Sequence, residues 1–295
     1  MGYSQNSASH VENGWQMANL YGKVKSFTEY TYGAEKRFWK IKKIDGSGSS
    51  KRINIYNVMG DLIEQYEYNS DGSLLSKRIN AYNVQGDLIE QYEYNADGSL
   101  SFKDINKYDD KGNQIEWNRY SADDSLSFKD IYEYDDMGNQ IELNSYNLDG
   151  VLSRKVTYKY DDKGNQIEKY THNADGVLSS KVAYKYDEMG NQISEYSDYA
   201  GGSLSLTLIF KCDEKGNYIE WKSYNAGGRL STDVTYKYDE MGNCSEINYH
   251  DADGRLGYTS SFKYEFDKRG NWIRRITFNN QIPKKIEERK FQYFE

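Results

Sequence analysis

The sequence predicts an all-β fold: an antiparallel β-hairpin repeat meander of about nine 26-residue units, coiled into a spiral or hollow, barrel-like shell. Three observations predict it. Gly60, Gly86, Gly112, Gly138, Gly164, Gly190, Gly216 and Gly242 follow one another at a constant step of 26 residues. Each unit holds two turn signals separated by runs whose apolar residues alternate, with no 3.6-residue periodicity. The composition of 30 Tyr, 25 Gly and a single Pro suits strands punctuated by turns.

The first turn is carried by the "YDxxGN" motif, whose last glycine, Gly270, follows Gly242 after 28 residues. The second is carried by "NxDGxL", with Gly46, Gly72, Gly98, Gly150, Gly176, Gly202, Gly228 and Gly254, and Asp124 in the slot of the missing glycine. In both, Asp or Asn opens a type I turn by accepting a backbone hydrogen bond, and Gly closes it in the left-handed region. A four-residue loop at each turn pairs Tyr160 with Asn165 and His172 with Val177. Ile167 then lies between Tyr158 and Val182, and Glu168 between Thr157 and Lys181. The same register sets Glu64 beside Lys77, Glu90 beside Lys103, Glu116 beside Lys129 and Glu142 beside Lys155.

Val156, Tyr158 and Tyr160 share one face, and Lys155, Thr157 and Lys159 the other. The apolar face, with Ile167, Leu178, Val182, Tyr184 and Tyr186, is expected to turn inward. About twenty strands laid flat would span on the order of 95 Å and leave that face wet, so the sheet must coil, fold over or dimerise. In the early units Ile53, Ile79, Ile105 and Ile131 fall on the other parity, with Asn80 and Asn106 facing them. A bulge, or a sheet apolar on both faces, would account for this.

The motifs "YKYDDKGNQIE", "YKYDEMGN" and "YEFDKRGNWI" resemble the tyrosine–aspartate (YD) repeats of the Rhs and teneurin type over roughly residues 50–278. The lead-in "LYGKVKSFTEYTY" and the ending "IEERKFQYFE" look like those of small exported bacterial proteins with such repeats. "NADGSL" is also similar to MORN-like repeats. The resemblance implies a spiralling hairpin shell and an exported protein, in the periplasm, on the cell surface or secreted. The expected organisation is an N-terminal tail or cloning remnant over 1–14 and a single repeat domain over 15–295, with 279–295 as a C-terminal capping strand.

The net charge of −8 is interspersed, and only Lys284–Lys290 is locally basic, so no nucleic acid is expected as partner. No run of 18 apolar residues occurs, and no membrane span is expected. MGYSQNSASH lacks the apolar core of a secretory signal.

No catalytic, metal-binding or cofactor-binding residue is assigned. His10, His172 and His250 have no accompanying ligand cluster, and the last two take a slot that holds Tyr68, Tyr94, Tyr120 and Tyr224 elsewhere. Cys212 and Cys244 lie three strands apart, about 14 Å by strand spacing, and are expected to be free thiols. "NADGS" and "DDKGN" are read as turns and are too short for calcium loops. Trp117 and Trp221 align as interior or interface fillers. Tyr66, Tyr92, Tyr170 and Tyr196 fall on the polar face and form the candidate ligand-contact face, since tyrosine is apolar in its ring and polar at its tip. A non-catalytic binding scaffold for a protein or other macromolecule is the expected function. A carbohydrate-binding protein is the alternative, and an enzyme would need a site at the break in the repeat, residues 251–263.

Overall fold

The computed structural model describes residues 13–44, 46, 48–200 and 206–295. His10 and Gly202 lie outside them, as does most of the expected tail. A four-residue helix, α1 (Gly14–Met17), precedes 21 strands: β1 (Val24–Arg37), β2 (Lys40–Ile44), β3 (Ser50–Tyr56), β4 (Leu62–Tyr68), β5 (Leu74–Tyr82), β6 (Leu88–Asn95), β7 (Leu100–Tyr108), β8 (Gln114–Ser121), β9 (Leu126–Tyr134), β10 (Gln140–Asn147), β11 (Leu152–Tyr160), β12 (Gln166–Asn173), β13 (Leu178–Tyr186), β14 (Gln192–Tyr199), β15 (Leu206–Cys212), β16 (Tyr218–Tyr224), β17 (Leu230–Tyr238), β18 (Cys244–His250), β19 (Leu256–Phe266), β20 (Trp272–Asn279) and β21 (Ile282–Tyr293). The chain is an antiparallel hairpin meander, as its period predicts.

The repeat motif is a closed set of hydrogen bonds. In "YDDKGN", the Asp161 amide donates to the Asn165 carbonyl at 2.9 Å, and the Gly164 amide to the Asp161 carbonyl at 3.0 Å. Asp161 Oδ1 accepts from the Lys163 and Asn165 amides, and Oδ2 from Asn165 Nδ2. Gly164 sits at φ +82°, and Asp124, the glycine substitute, at +69°. The tyrosine before the turn does a separate job. Tyr160 donates its hydroxyl to the Gln140 carbonyl at 2.7 Å, twenty residues back. Tyr82, Tyr108, Tyr134, Tyr186 and Tyr238 bond the carbonyls of Leu62, Leu88, Gln114, Gln166 and Tyr218 in the same way. Each tyrosine therefore ties its own turn to the residue that opens the strand of the preceding unit.

The register corrects the four-residue loop. Three residues, Asp162, Lys163 and Gly164, form the loop between Asp161 and Asn165, and Tyr160 pairs with Gln166. A one-residue bulge follows, so Lys159 pairs with Glu168. At the other turn His172 pairs with Leu178, and a second bulge sets Tyr170 against Lys181. The shorter loop and the bulge each move the register by one. Together they restore the parity, so the two faces come out as expected while every partner beyond the bulge shifts by two. Ile167 is the bulged residue, and Lys169 takes its place between Tyr158 and Val182. Glu168 and Lys181 are diagonal neighbours on one face, bridged at 2.7 Å, and Lys155–Glu142 and Lys129–Glu116 repeat the arrangement at 2.7 and 3.1 Å.

The chain divides into two compact units. The first covers Asp109–Glu116 and Phe128–Ser260. In it β10 to β18 pair consecutively, Val156 is buried opposite Leu143, and Phe210, Trp221 and Val234 are paired neighbours across β15 to β17. Trp221 fills this face, with Nε1 donating to the Tyr236 hydroxyl at 2.8 Å. The second unit covers residues 13–108, Trp117–Ser127 and Ser261–Glu295. Here β3 to β7 pair consecutively, and β1 lies between β3 and β21, so the meander ends beside the strand that began it. The last strand, β21, is paired to β1 on one side and β20 on the other.

The second unit has two apolar clusters. Val24, Phe27 and Tyr56 pack with Trp15, Leu20, Leu62, Phe291 and Tyr293. Ala34, Ile276, Phe278 and Ile286 pack with Ile41 of β2. The N-terminal segment is held in the first cluster by a capping box at Asn13, by Trp15 Nε1 donating to the Val24 carbonyl at 2.7 Å, and by Asn271, which bonds both the amide and the carbonyl of Tyr21. A Cβ at Gly60 would meet the Trp15 indole at 2.7 Å.

Candidate functional site

Within the second unit the expectation of an apolar inner face is corrected. Arg52, Asn54 and Tyr56 alternate along β3, and the last two are buried, while Ile53 and Ile55 face the other way. Of the two accounts of the drifting aliphatics, bulges recur at the hairpins and the inward positions are polar. The sheet face that carries these residues is laced by Arg–carboxylate pairs on successive hairpins: Arg275–Glu287, Arg289–Glu29, Arg52–Glu67, Arg78–Glu93 and Arg119–Asp104, all between 2.6 and 2.9 Å. A charged inner row is affordable because each guanidinium is matched by a carboxylate at hydrogen-bond distance.

This face opens into a cavity of about 410 Å³, a volume of the order that holds small ligands. Its floor is Glu29, Arg52, Asn54, Gln65, Asn80 and Arg289. Its walls include Phe27, Tyr56, Leu62, Tyr82 and Leu88, and α1 contributes Gly14 and Met17. Gln65 Nε2 donates to Asn54 Oδ1 at 2.7 Å, and Asn80 Nδ2 to the Leu62 carbonyl at 2.8 Å. Arg289 Nε donates to Glu29 Oε2 at 2.7 Å, and the guanidinium lies 3.7 Å over the Trp272 ring and 4.8 Å over Phe27. Burial pulls this guanidinium below its ordinary value, against the opposing pull of Glu29. Burial also raises the phenol of Tyr56 well above the usual range and pushes Tyr82 up to about 12. The cavity offers neutral amide donors and acceptors beside paired charges, over aromatic walls. Asn80 was visible in the sequence as a polar residue facing an isoleucine. The rest of the cavity was not, because it depends on β1 and β21 being neighbours.

Tyr66, Tyr92, Tyr170 and Tyr196 lie on the opposite face of the sheet. The first two belong to the second unit and the last two to the first. The environment of the first and third repeats closely: the Tyr66 hydroxyl donates to Glu64 with Lys77 over its ring at 5.3 Å, and the Tyr170 hydroxyl donates to Glu168 with Lys159 and Lys181 each 5.2 Å from its ring. Tyr92 donates to Glu90 at 2.9 Å and stacks near Tyr94. Tyr196 is exposed.

Cys212 and Cys244 are both free thiols, raised by burial. His172 and His250 are half-buried, each with an Nδ1 that finds no hydrogen-bond partner. Among the described residues no three His, Cys, Asp or Glu side chains are grouped to hold a metal ion.

The chain matches no known family model and no curated protein. Solved structures similar to it include the TcdB2-TccC3 crystal structure, at 16% identity over 79% of this chain with a TM-score of 0.35. The chain spans 15% of the length of that one. A porin-like protein from Bacteroides uniformis is similar at 10% identity over 91% of this chain and 96% of its own, with a TM-score of 0.38. A porin-like protein from Bacteroides vulgatus is similar at 13% identity over 92% and 98%, with a TM-score of 0.27.

Proposed function

We propose that the protein is a non-catalytic β-repeat scaffold, exported or held at the cell surface, that binds a protein or other macromolecule through the outward face of its hairpins. The observation behind this reading is the repeated tyrosine cluster, in which a hydroxyl bonded to a Glu and a ring covered by Lys recur on β4 and β12. Repeat proteins bind through extended, periodic faces, and half-buried tyrosines held in place by neighbours contribute contact area at little entropic cost. The YD-repeat resemblance of the turns supports the same architecture and an exported setting.

Affinity capture from the native host, with mass spectrometry, tests the reading. A protein retained by the wild type and lost on Tyr66→Ser with Tyr170→Ser supports it. A purified protein that turns over substrates in a hydrolase screen overturns its non-catalytic part.

A second reading, a carbohydrate-binding protein, is favoured by the cavity. Asn54, Gln65 and Asn80 set amides beside Tyr56 and Tyr82, a combination suited to hydroxyl groups over an apolar sugar face. Glycan-array binding lost on Gln65→Leu and kept on Tyr92→Ala with Tyr170→Ala would place the sugar in the cavity.

A further inference from the structure

The hairpin of β1 and β2 differs from every repeat hairpin. Its pairing runs from Gly33↔Ile44 to Arg37↔Lys40, leaving Phe38 and Trp39 as a two-residue loop. These two are 88% and 84% exposed, their rings tilted against each other at 6.0 Å. Phe38 holds φ +56°, at the first loop position of a two-residue turn. Glycine suits that position, and any other side chain is strained there. A bulky aromatic pair is thus presented to solvent on a backbone that does not favour it, and it packs against no core.

The charge around the tip is equally uneven. Residues 34–44 carry Lys36, Arg37, Lys40, Lys42 and Lys43 against a single Glu35, a local charge of +4 in a chain of net −8. All five cations are exposed. Arg37 is paired to Glu35 and Lys43 to Glu288, while Lys36, Lys40 and Lys42 make no ion pair among the described residues. The hairpin is fastened close below its tip, where Ile41, paired with Lys36, packs against the cluster of Ala34, Ile276, Phe278 and Ile286. A rigid stem therefore carries a cationic collar and an aromatic tip.

We propose that this hairpin is a docking element for an anionic lipid bilayer surface, with Phe38 and Trp39 seated at the headgroup level and the lysines against acidic headgroups. Exposed Trp and Phe gain by entering the interface between water and hydrocarbon. Clustered lysines add an attraction that requires anionic lipid and falls with salt. Neither signal alone gives stable attachment, and the tip combines both. The element lies on the surface and spans nothing. The proposal does not depend on the tyrosine face or the cavity.

The test uses the full-length protein with vesicles of pure phosphatidylcholine and of phosphatidylcholine with phosphatidylglycerol, at low and high salt. The expected result is co-sedimentation with the anionic vesicles only, weakened by salt. Emission should shift to the blue and vanish as a signal in Trp39→Phe, the other four tryptophans being half-buried. Phe38→Ser with Trp39→Ser, and separately Lys36→Gln, Lys40→Gln and Lys42→Gln together, should each lower vesicle binding by about 100-fold. An unchanged far-ultraviolet circular dichroism spectrum keeps the fold out of the comparison. Equal binding to neutral vesicles, no binding to either, binding unaffected by these substitutions, or binding to heparin without binding to vesicles would each overturn the proposal.

Discussion

Glu29 and Arg289, 260 positions apart in the chain, are joined by a 2.7 Å ion pair between β1 and β21, each about one-sixth exposed. The pair holds the first long strand to the last. Its guanidinium is further sandwiched by Trp272 and Phe27, so removing the carboxylate leaves a charge that can neither leave nor find water easily. Glu29→Gln is expected to lower the unfolding free energy by about 2 kcal/mol, at the low end for such pairs because some solvent reaches it. Glu29→Leu with Arg289→Met should fall within about 1 kcal/mol of the wild type, since a matched apolar pair needs no desolvation. Urea denaturation of the two variants checks the order.

The repeat tyrosine is replaced at two of its slots, by Cys212 and by Phe266, neither of which carries the hydroxyl. Where Tyr160 and Tyr186 bond the carbonyls of Gln140 and Gln166, the first of these slots holds Cys212, whose partner by the same step would be Gln192. Tyr160→Phe should cost about 1 kcal/mol, the worth of one half-buried hydrogen bond. Cys212→Tyr should return a similar amount to the wild type. A Cys212→Tyr protein no more stable than its parent would show that the tyrosine is kept for something other than the bond.

The turn chemistry is reversible within this one chain. Later units place the carboxylate first, Asp161, and the amide last, Asn165. The first two place the amide first and the carboxylate last, as Asn57–Asp61 and Asn83–Asp87, with the same side-chain bond at 2.9 and 2.8 Å. One donor and one acceptor are required, in either order. Asp161→Asn alone sets two amides together and should cost about 1 kcal/mol. Asp161→Asn with Asn165→Asp should be close to neutral in thermal denaturation.

Legibility in the sequence followed the range of the interactions. The turns were readable because Asp161, Gly164 and Asn165 bond one another within five residues. The two faces were readable because parity survives paired one-residue shifts. The register was not, since a bulge at Ile167 leaves no mark in composition. Nor was the polar inner face of the second unit. Asn54 and Arg52 look like solvent residues until β1 and β21 are placed beside them. The exposed tip at Phe38 and Trp39 escaped for the opposite reason, because an aromatic pair in a strand-rich segment reads as core.

Acid should act through bonded carboxylates. The carboxyl of Glu287 is raised by burial but more strongly lowered by Arg275 and Lys285, so its folded value lies below the ordinary 4.5. Glu168, bonded by Lys181, Lys159 and Tyr170, is drawn down to about 2. Groups lowered in the folded state stabilise it above their unfolded value, and that contribution disappears as pH falls through the folded value. Stability should therefore decline from about pH 4.5 downward, and Glu287→Gln should flatten the decline measured by denaturation at stepped pH.

Alkali should act through the tyrosines with the opposite sign. Burial pushes Tyr82, Tyr108, Tyr160, Tyr184 and Tyr238 up to about 12, against an ordinary value of 10.0. In the unfolded chain these phenols ionise near 10, while the folded chain resists until higher pH. A raised acid contributes stability that is whole below the unfolded value and lost as pH climbs to the folded one. Phenolate absorbance should thus show a late phase from this buried set, with cooperative unfolding between pH 10 and 12. Tyr160→Phe and Tyr238→Phe should each remove amplitude from this late phase alone. A single phase near pH 10, with the fold intact, would mean that the hydroxyls of Tyr82, Tyr108, Tyr160 and Tyr238 are not held against the carbonyls of the preceding unit.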